Sequence, residues 1–403
     1  MRRGAGLYRL PWSKTDNAGG WVEVTDQCDL HCPGCYRRTL EGHRPLEEVC
    51  EDIRACQAAT GCDRIGIAGG EPLLYPHLTD VVAFIARRGM KPMLLTNGER
   101  LTPDMARELK KAGLRKFHFH VDGAMPRPGW EGRTEAEMND LRQHFADLVW
   151  ELGGVQCGYN ITVFPSSVDY LPDVVGWCRR NIAKVQHVSL VAFRSVPLTG
   201  EYEYRVGDRA VDPAALQHSS PDLAKIRLTT EDMLRKIQER MRDFRPAVYL
   251  PGTAVPESHK FLVTLQVGTR DGFLGLSGAR TAEFVQVFHH LFTGRYFDFL
   301  ARPDAGRKLF LLVPLDRELR RTLGRYLAAS LKNPRVLGQR VYVQSISLQQ
   351  PNEIVDGQVN LCDGCPNMMI HRGQLIPSCR LDEYRLFGGA AVPVRKGRRP
   401  EAG

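Results

Sequence analysis

The stretch that decides the fold is Trp21-Val22-Glu23-Val24-Thr25-Asp26-Gln27-Cys28-Asp29-Leu30-His31-Cys32-Pro33-Gly34-Cys35. It begins with a short run typical of a buried strand and ends in a loop whose cysteines have the spacing C-x3-C-x2-C. Three thiolates on one short loop can bind three irons of a cubane cluster and leave the fourth iron open. A zinc site would need a fourth ligand at matching spacing, and none follows until the far C-terminus. An open iron can bind a small molecule that chelates through an amine and a carboxylate.

Outward from this loop, short apolar runs alternate with longer amphipathic ones as far as about residue 195. Alternation of strand and helix predicts a parallel sheet, and about six such units fit either a doubly wound sheet or a partial barrel. The predicted strands cover residues 21–25, 64–67, 92–96, 116–121, 155–164 and 187–193. The predicted helices cover residues 45–60, 77–88, 102–112, 134–152 and 168–182.

Composition excludes several classes of protein. Of the 403 residues, 43% are hydrophobic and 25% are charged, which is ordinary for a folded chain and excludes a disordered, collagen-like or coiled-coil protein. The longest apolar run, at residues 309–315, is too short to span a membrane, and the first residues lack the apolar core of a secretory signal. We therefore expect a cytoplasmic protein, in which the eleven cysteines do not form a disulfide framework.

The first cysteine loop resembles that of the radical S-adenosylmethionine (SAM) superfamily. Gly69-Gly70-Glu71-Pro72 follows the second predicted strand and matches the GGE motif of that family. Thr96-Asn97-Gly98 ends the third predicted strand, as in many members. The family usually has an aromatic residue just before the third cysteine, whereas this chain has Gly34 there and Tyr36 just after the cysteine.

This resemblance implies a partial (β/α)6 barrel of the TIM type, with SAM at the carboxyl ends of the strands, where the active sites of such barrels lie. It implies that Cys28, Cys32 and Cys35 hold a [4Fe-4S] cluster and that the GGE motif contacts the methionyl amine of SAM. A flavodoxin-type or ferredoxin-type partner would reduce the cluster. The reduced cluster would cleave SAM to methionine and a 5′-deoxyadenosyl radical, which would abstract hydrogen from an unactivated carbon.

The fourth predicted strand alternates between two classes of side chain. Phe117, Phe119 and Val121 are apolar, and His118, His120 and Asp122 are polar. In a barrel covered by helices, the apolar set faces the helices and the polar set lines the lumen. We expect a site there, because a polar lumen needs a ligand or water to satisfy it; the alternative is an edge strand with a solvated polar face. By the same argument, Asn160, Thr162 and Arg194 are lumen candidates for contacts with SAM or substrate.

A second group of cysteines, Cys362, Cys365 and Cys379, has the spacing C-x2-C-x13-C. The sequence between the last two predicts a hairpin with its turn at Gly373. This group resembles the auxiliary iron–sulfur segments, called SPASM or twitch, that follow the barrel in many radical SAM enzymes. The resemblance implies a second [4Fe-4S] cluster that binds substrate or relays an electron. A zinc ribbon with His371 as the fourth ligand is the alternative.

The formal charge of +9 has a local origin, because residues 307–340 hold nine Lys or Arg against Asp316 and Glu318. Leucines recur on one helical face of this segment, and Phe284, Phe288 and Phe292 recur at helical spacing upstream. One interpretation gives this segment a structural role only, as amphipathic helices packed on the barrel. The other interpretation gives it a role in function, as a basic face suited to an anionic membrane and a lipid-like substrate, or to a phosphorylated substrate. No recognised nucleic-acid module is present, so we expect no nucleic-acid partner.

These observations predict an α/β chain with five parts. They are an N-terminal lead-in (1–20), the radical SAM partial barrel (21–196), an inserted, basic α+β segment (197–345), a small iron–sulfur segment (346–390) and a disordered basic tail (391–403).

The predicted function is a radical SAM enzyme, an oxidoreductase or transferase, that acts on a large apolar or lipid-like substrate and contacts membranes peripherally. One alternative is modification of a phosphorylated small molecule or a peptide held at the auxiliary cluster. A non-catalytic iron–sulfur electron carrier or scaffold is an alternative from another class, and such a protein would not need the GGE motif.

Overall fold

The computed structural model describes residues 6–33, 35–193, 196, 198, 200–216, 227–299 and 306–396. The first half alternates strand and helix as predicted. Its strands are β1 (Tyr8–Arg9), β2 (Gly19–Thr25), β3 (Arg64–Gly69), β4 (Lys91–Thr96), β5 (Lys116–His120), β6 (Gln156–Val163) and β7 (His187–Ala192). Its helices are α1 (Leu46–Thr60), α2 (Leu78–Arg87), α3 (Pro103–Ala112), α4 (Met138–Leu152) and α5 (Leu171–Arg180).

Local sequence signals set the limits of these helices. The side chain of Thr102 caps α3 by accepting a hydrogen bond from the backbone N–H of Met105, and Gly113 ends the helix in the left-handed region at φ 113°. Thr134 and Glu137 exchange the hydrogen bonds of a capping box, but they close a turn ahead of α4, which begins only at Met138.

Strands β2 to β7 lie side by side in sequence order, and every neighbouring pair is parallel. Consecutive order with a helix after each strand is the arrangement of a partial (β/α)6 barrel, as the sequence resemblance implied. Phe117, Phe119 and Val121 are fully buried in the core between the sheet and its helices. Because β5 lies between β4 and β6, the alternative of an exposed edge strand is wrong.

The second half begins with β8 (Tyr202–Val206), β9 (Arg209–Val211), α6 (Thr230–Arg240), β10 (Val248–Pro251), β11 (His259–Thr269), β12 (Gly272–Ser277) and α7 (Ala279–Thr293). A 3-10 helix, Gly306–Leu315, precedes α8 (Arg317–Lys332) and α9 (Arg335–Gly338). The last elements are β13 (Tyr342–Gln349), β14 (Glu353–Val355), β15 (Gln358–Asn360), β16 (Met368–His371), β17 (Gln374–Pro377), α10 (Leu381–Phe387) and β18 (Val392–Arg395).

The predicted boundary between an inserted segment and an iron–sulfur segment is wrong, because it falls inside β13. This strand pairs in parallel with β7, with Ser345 opposite His187, and antiparallel with β11. Strand β11 also pairs with β10 and β12, and β1 pairs with β10. Strands β10 to β13 therefore extend the barrel sheet instead of forming a separate unit.

The disordered tail predicted for residues 391–403 is also wrong in part. Val392–Arg395 forms β18, which pairs antiparallel with β8 in a small sheet of β18, β8 and β9. Residues 397–403 lie outside the described part of the chain.

One short segment, residues 361–371, contacts both ends of the large sheet. At one end, the backbone N–H of Asp363 donates to the carbonyl of Pro251 at the end of β10, at 2.9 Å. At the other end, β16 pairs in parallel with β2, with Met368 opposite Gly20. The second cysteine group lies on and beside this segment. Among the described residues, no helix has both the length and the apolar character needed to cross a membrane.

Candidate functional site

A large cavity of about 570 Å³ lies in the lumen, and both cysteine groups line it. The sequence-predicted residues that line it are Cys28, Cys32, Cys35, Gly69, Gly70, Glu71, His118, His120, Asp122, Asn160, Thr162, Cys362, Cys365 and Cys379. Arg194, the remaining candidate, lies outside the described residues. Residues separated by more than 350 positions in the sequence therefore share one chamber.

The first cysteine group follows the carboxyl end of β2, and its three thiols are free and half-buried. Backbone N–H groups of Leu30 and Arg37 point at the sulfurs of Cys28 and Cys35, at 3.5 and 3.4 Å. Burial raises the pKa of Cys28 to about 11 and that of Cys32 to about 12. Thiolates at such a site need a positive partner, which the irons of a cluster supply. The donor set therefore fits a [4Fe-4S] cluster.

No group of three or more Cys, His, Asp or Glu side chains among the described residues converges as a site for one metal ion. The ligands of a cubane cluster bind separate irons and do not need to converge on one point. A zinc site would need that convergence.

The GGE motif lies directly against the first cysteine loop. The backbone N–H of Gly70 donates to the carbonyl of Thr25 at 2.8 Å, and that of Glu71 donates to the carbonyl of Gln27 at 2.7 Å. A Cβ atom on Gly69 or Gly70 would lie 2.3 or 2.1 Å from those same carbonyl oxygens. Glycine is required at both positions because the two loops approach so closely.

The carboxylate of Glu71 braces the loop and does not point freely into the cavity. It accepts hydrogen bonds from the Thr96 hydroxyl at 2.6 Å, the Asn97 backbone at 2.7 Å and the Leu73 backbone at 2.9 Å. Burial raises its pKa to about 7 in spite of these donors. The Asn97 side chain in turn donates to Asp29 of the cysteine loop at 2.7 Å. The second and third predicted strands are thus tied to the cysteine loop through one buried carboxylate.

Polar residues of β5 and β6 form a connected group in the lumen. The Nε2 atom of His120 lies 2.8 Å from the Asp122 carboxylate and 3.1 Å from the Thr162 hydroxyl. Burial alone would raise the pKa of Asp122, but hydrogen bonds from His120, Thr162 and Ala124 outweigh burial and lower it. An ionised Asp122 keeps the hydrogen of His120 on Nε2, which leaves Nδ1 for a ligand.

The second cysteine group is held at the opposite end of β2. The Asn17 side chain, just before β2, donates to the carbonyls of Gly364 and Cys365, both at 3.0 Å. The Cys362 and Cys365 thiols are hydrogen-bonded to each other, and the Asn352 amide lies 3.5 Å from the sulfur of Cys379.

Arg37 is a site residue that sequence reasoning missed. Its guanidinium is buried and pairs with Glu23 of β2 and with Asp382 of α10, and it donates to the carbonyl of Ser378 at 2.7 Å. It therefore joins the first cysteine loop to the residue beside Cys379. Only its position two residues after Cys35 could have drawn attention to it, because its carboxylate partners are distant in sequence.

Residues 197–345 give the cavity an apolar wall. On β11, Phe261, Val263 and Leu265 line the cavity, whereas the alternate residues, such as Leu262, are buried on the opposite face. Side chains from neighbouring elements continue this wall: Val248, Val285 and Leu309. The cavity therefore has polar sides on β5 and β6 and an apolar side on β11.

Comparisons with known proteins agree with this geometry. The radical SAM superfamily matches residues 22–166. The PqqA peptide cyclase of Streptomyces rochei is 34% identical over 155 residues, which are 38% of this chain and 42% of that protein. A GTP 3′,8-cyclase of Synechococcus sp. is 38% identical over 139 residues, which are 32% of this chain and 40% of that protein.

Among solved structures, SuiB of Streptococcus suis bound to S-adenosylmethionine is similar with a TM-score of 0.40 and 16% identity. That similarity covers 57% of this chain and 48% of SuiB. The chain thus spans less than half the length of each of these relatives.

Proposed function

We propose that this chain is a radical SAM enzyme that abstracts hydrogen from an unactivated carbon of its substrate, because residues 22–166 match the radical SAM superfamily. The observation that carries the proposal is the contact between the first cysteine loop and the GGE motif at one end of the cavity. When bound, the [4Fe-4S] cluster and SAM would supply a 5′-deoxyadenosyl radical, with methionine as the other product and the electron provided by a flavodoxin-type or ferredoxin-type partner.

In this proposal the chain's own residues bind, orient and shield. Cys28, Cys32 and Cys35 hold the cluster, and the backbone of Gly69 and Gly70 seats the amine of SAM. The polar group of His120, Asp122 and Thr162 then offers hydrogen bonds to the ribose of SAM or to the substrate, as does Asn160. The half-buried cavity limits the access of water to the reacting atoms.

We also propose that Cys362, Cys365 and Cys379 hold a second [4Fe-4S] cluster. Support comes from their shared position on the cavity and from the Asn17 hydrogen bonds that fix Gly364 and Cys365. The two clusters would then lie at different ends of one chamber, with substrate between them. Such a cluster would bind the substrate or pass an electron to or from it.

For the substrate, we favour a large apolar or lipid-like molecule, because the wall of β11 is apolar. The outer surface near that wall supports peripheral contact of a cytoplasmic protein with an anionic membrane. Exposed apolar side chains of three elements form a surface that we call the apolar–basic face. They are Phe288, Leu291 and Phe292 of α7, Leu311 and Leu315 of the 3-10 helix, and Leu327 and Leu331 of α8. Between 307 and 340, nine Lys or Arg accompany it.

The second candidate is modification of a phosphorylated small molecule or a peptide. It is favoured by the polar side of the cavity and by the names of two relatives, which are a peptide cyclase and a GTP cyclase.

Anaerobic reconstitution tests the proposal. Wild-type protein should bind about eight irons per chain and form 5′-deoxyadenosine after reduction with SAM present. Alanine at Cys28, Cys32 and Cys35 should abolish the product, and alanine at Cys362, Cys365 and Cys379 should leave about four irons. Cys50→Ala, on the outer side of α1, is the matched control and should keep both iron and product.

Two outcomes would reject parts of the proposal. Wild-type protein with a reducible cluster but no 5′-deoxyadenosine would indicate an iron–sulfur electron carrier or scaffold. About four irons in the wild-type protein would reject the auxiliary cluster alone.

A further inference from the structure

The end of the cavity away from the first cysteine loop gathers positive charge. Arg64, Lys91 and Lys116 are the first residues of β3, β4 and β5. The amino ends of neighbouring parallel strands meet at one edge of a sheet, so these three cations lie together at the edge opposite the first cysteine loop. Arg64 and Lys116 line the cavity.

Two of the three cations have carboxylate partners. Arg64 pairs with Asp298 at 2.8 Å, and Lys91 pairs with Asp63 at 2.5 Å while also donating to the carbonyl of Phe299. Both carboxylates are thereby engaged. Within the described part of the chain, Lys116 has neither a hydrogen bond nor a direct ion pair, although Asp298 lies near enough for its negative charge to raise the pKa of Lys116.

The ammonium group of Lys116 is instead enclosed by protein. The residue is only 4% exposed, and its Nζ atom lies 3.8 Å from the centre of the Phe299 ring. Burial lowers its pKa to about 8, so it is mostly charged near pH 7. A buried cation without a directly bonded anion is unfavourable, and proteins usually provide a partner for it. A bound ligand can be that partner.

His118 extends the same group of donors. It is two residues after Lys116 on β5 and therefore on the same face of the strand. Its Nδ1 atom is buried with no hydrogen-bond partner in the described structure, and the ring of His187 lies 5.5 Å away, centre to centre. Burial lowers the pKa of both histidines well below the usual value, so both are neutral near pH 7. Both ring nitrogens of His187 are already hydrogen-bonded, Nδ1 with Ser345 at 2.6 Å and Nε2 with Ser189 at 2.9 Å, so His118 is the histidine that can offer an N–H donor to a ligand.

We propose that Lys116 and His118 bind a phosphate group of the substrate at this end of the cavity. A phosphate offers several acceptor oxygens and a negative charge, which match the Lys116 ammonium group and the N–H group of His118. The inference rests on the proposed function, because it identifies part of the substrate in the same cavity. A phosphorylated amphiphile would place its phosphate at Lys116 and its chain along the apolar wall of β11.

Inorganic phosphate is the first probe, titrated calorimetrically into reconstituted wild-type protein, Lys116→Met and Lys111→Met. Lys111 is an exposed lysine on α3 and serves as the matched control. We expect saturable binding to wild type and to Lys111→Met, and at least tenfold weaker binding to Lys116→Met. Wild-type affinity should fall as the pH rises above about 8, since Lys116 then loses its proton. The ionisable groups that face it are Arg64, Lys91, Asp298 and Cys157.

Glycerol 3-phosphate and lysophosphatidic acid distinguish the two sources of the phosphate. Tighter binding of the lipid, lost in Lys116→Met, would identify a phosphorylated amphiphile; equal binding would identify a small phosphorylated molecule. Phosphate that binds wild type and Lys116→Met equally, or that never saturates wild type, would overturn the inference. Formation of 5′-deoxyadenosine by wild type without phosphate tests the proposed function separately.

Discussion

At the scale of single residues, Lys116 combines a role in binding with a penalty in folding. Its pKa falls from 10.5 in a free lysine to about 8 in the folded protein, because burial disfavours the charged form. The unfolded chain therefore holds this proton more tightly than the folded chain. The buried charge therefore lowers the free energy of unfolding by its full amount below pH 8, and this effect disappears as the pH rises towards 10.5.

We predict that Lys116→Met stabilises the protein near pH 7. The lowered pKa corresponds to about 3 kcal/mol as an upper value, because methionine fills a similar volume without a buried charge. The melting temperature of the variant should exceed that of wild type at pH 7, and the difference should shrink by pH 10. A variant that melts below wild type at pH 7 would show that the ammonium group has a stabilising partner.

At the scale of elements, α7, the 3-10 helix Gly306–Leu315 and α8 present apolar side chains to solvent. Phe292 is 77% exposed and Leu331 is 87% exposed, which is unusual for large apolar residues in a monomeric protein. The 3-10 helix contacts both α7 and α8. Two of these elements also contribute Val285 and Leu309 to the cavity wall. One layer of structure therefore separates the cavity from the apolar–basic face.

We predict that the pair of substitutions Phe292→Ser and Leu331→Ser weakens membrane binding without weakening the fold. Side chains this exposed contribute little to stability, so the melting temperature should stay within about 2 °C of wild type. Sedimentation with phosphatidylglycerol vesicles should fall several-fold, and phosphatidylcholine vesicles should bind poorly throughout. The control is Val392→Ser on β18. Wild-type protein that does not sediment with anionic vesicles would reject the membrane proposal.

Local patterns in the sequence predicted the elements of the first half well, and long-range pairing explains where prediction failed. The alternation in β5 correctly put Phe117 and Phe119 in the core and His118 on the cavity, because a period of two is a local property. Strand β13 joins β7 across more than 150 residues, and no local pattern specifies such a partner. The contact of Lys116 with Phe299 could not be predicted from the sequence for the same reason.

At the scale of the whole molecule, the C-terminal segment is part of the barrel and not an appendage. It pairs with β2, contacts the end of β10 and supplies Asp382 to the buried guanidinium of Arg37. Removing one partner of a buried ion pair typically costs 3–5 kcal/mol. The first cysteine loop therefore depends on residues that follow it by more than 340 positions.

We predict that a chain ending at Gln350 loses the first cluster as well as the second. The truncation uncovers one edge of β2 and removes a partner of Arg37, so the protein should aggregate in size-exclusion chromatography and bind less than one iron per chain after reconstitution. A chain ending at Lys396 is the control and should behave like wild type. A monomeric 1–350 protein with about four irons would contradict this dependence.

The contacts of Arg37 with Ser378 and Asp382 have a consequence for biosynthesis. A ribosome makes the first cysteine loop well before Ser378 and Asp382, which hold Arg37 and follow it by more than 340 positions. For most of translation the nascent loop lacks these partners, and its thiols stay accessible to the cell's iron–sulfur assembly machinery and to oxidants alike. Stable binding of the cluster is thus expected to follow the synthesis of residues 378–382, because these residues complete the contacts of Arg37.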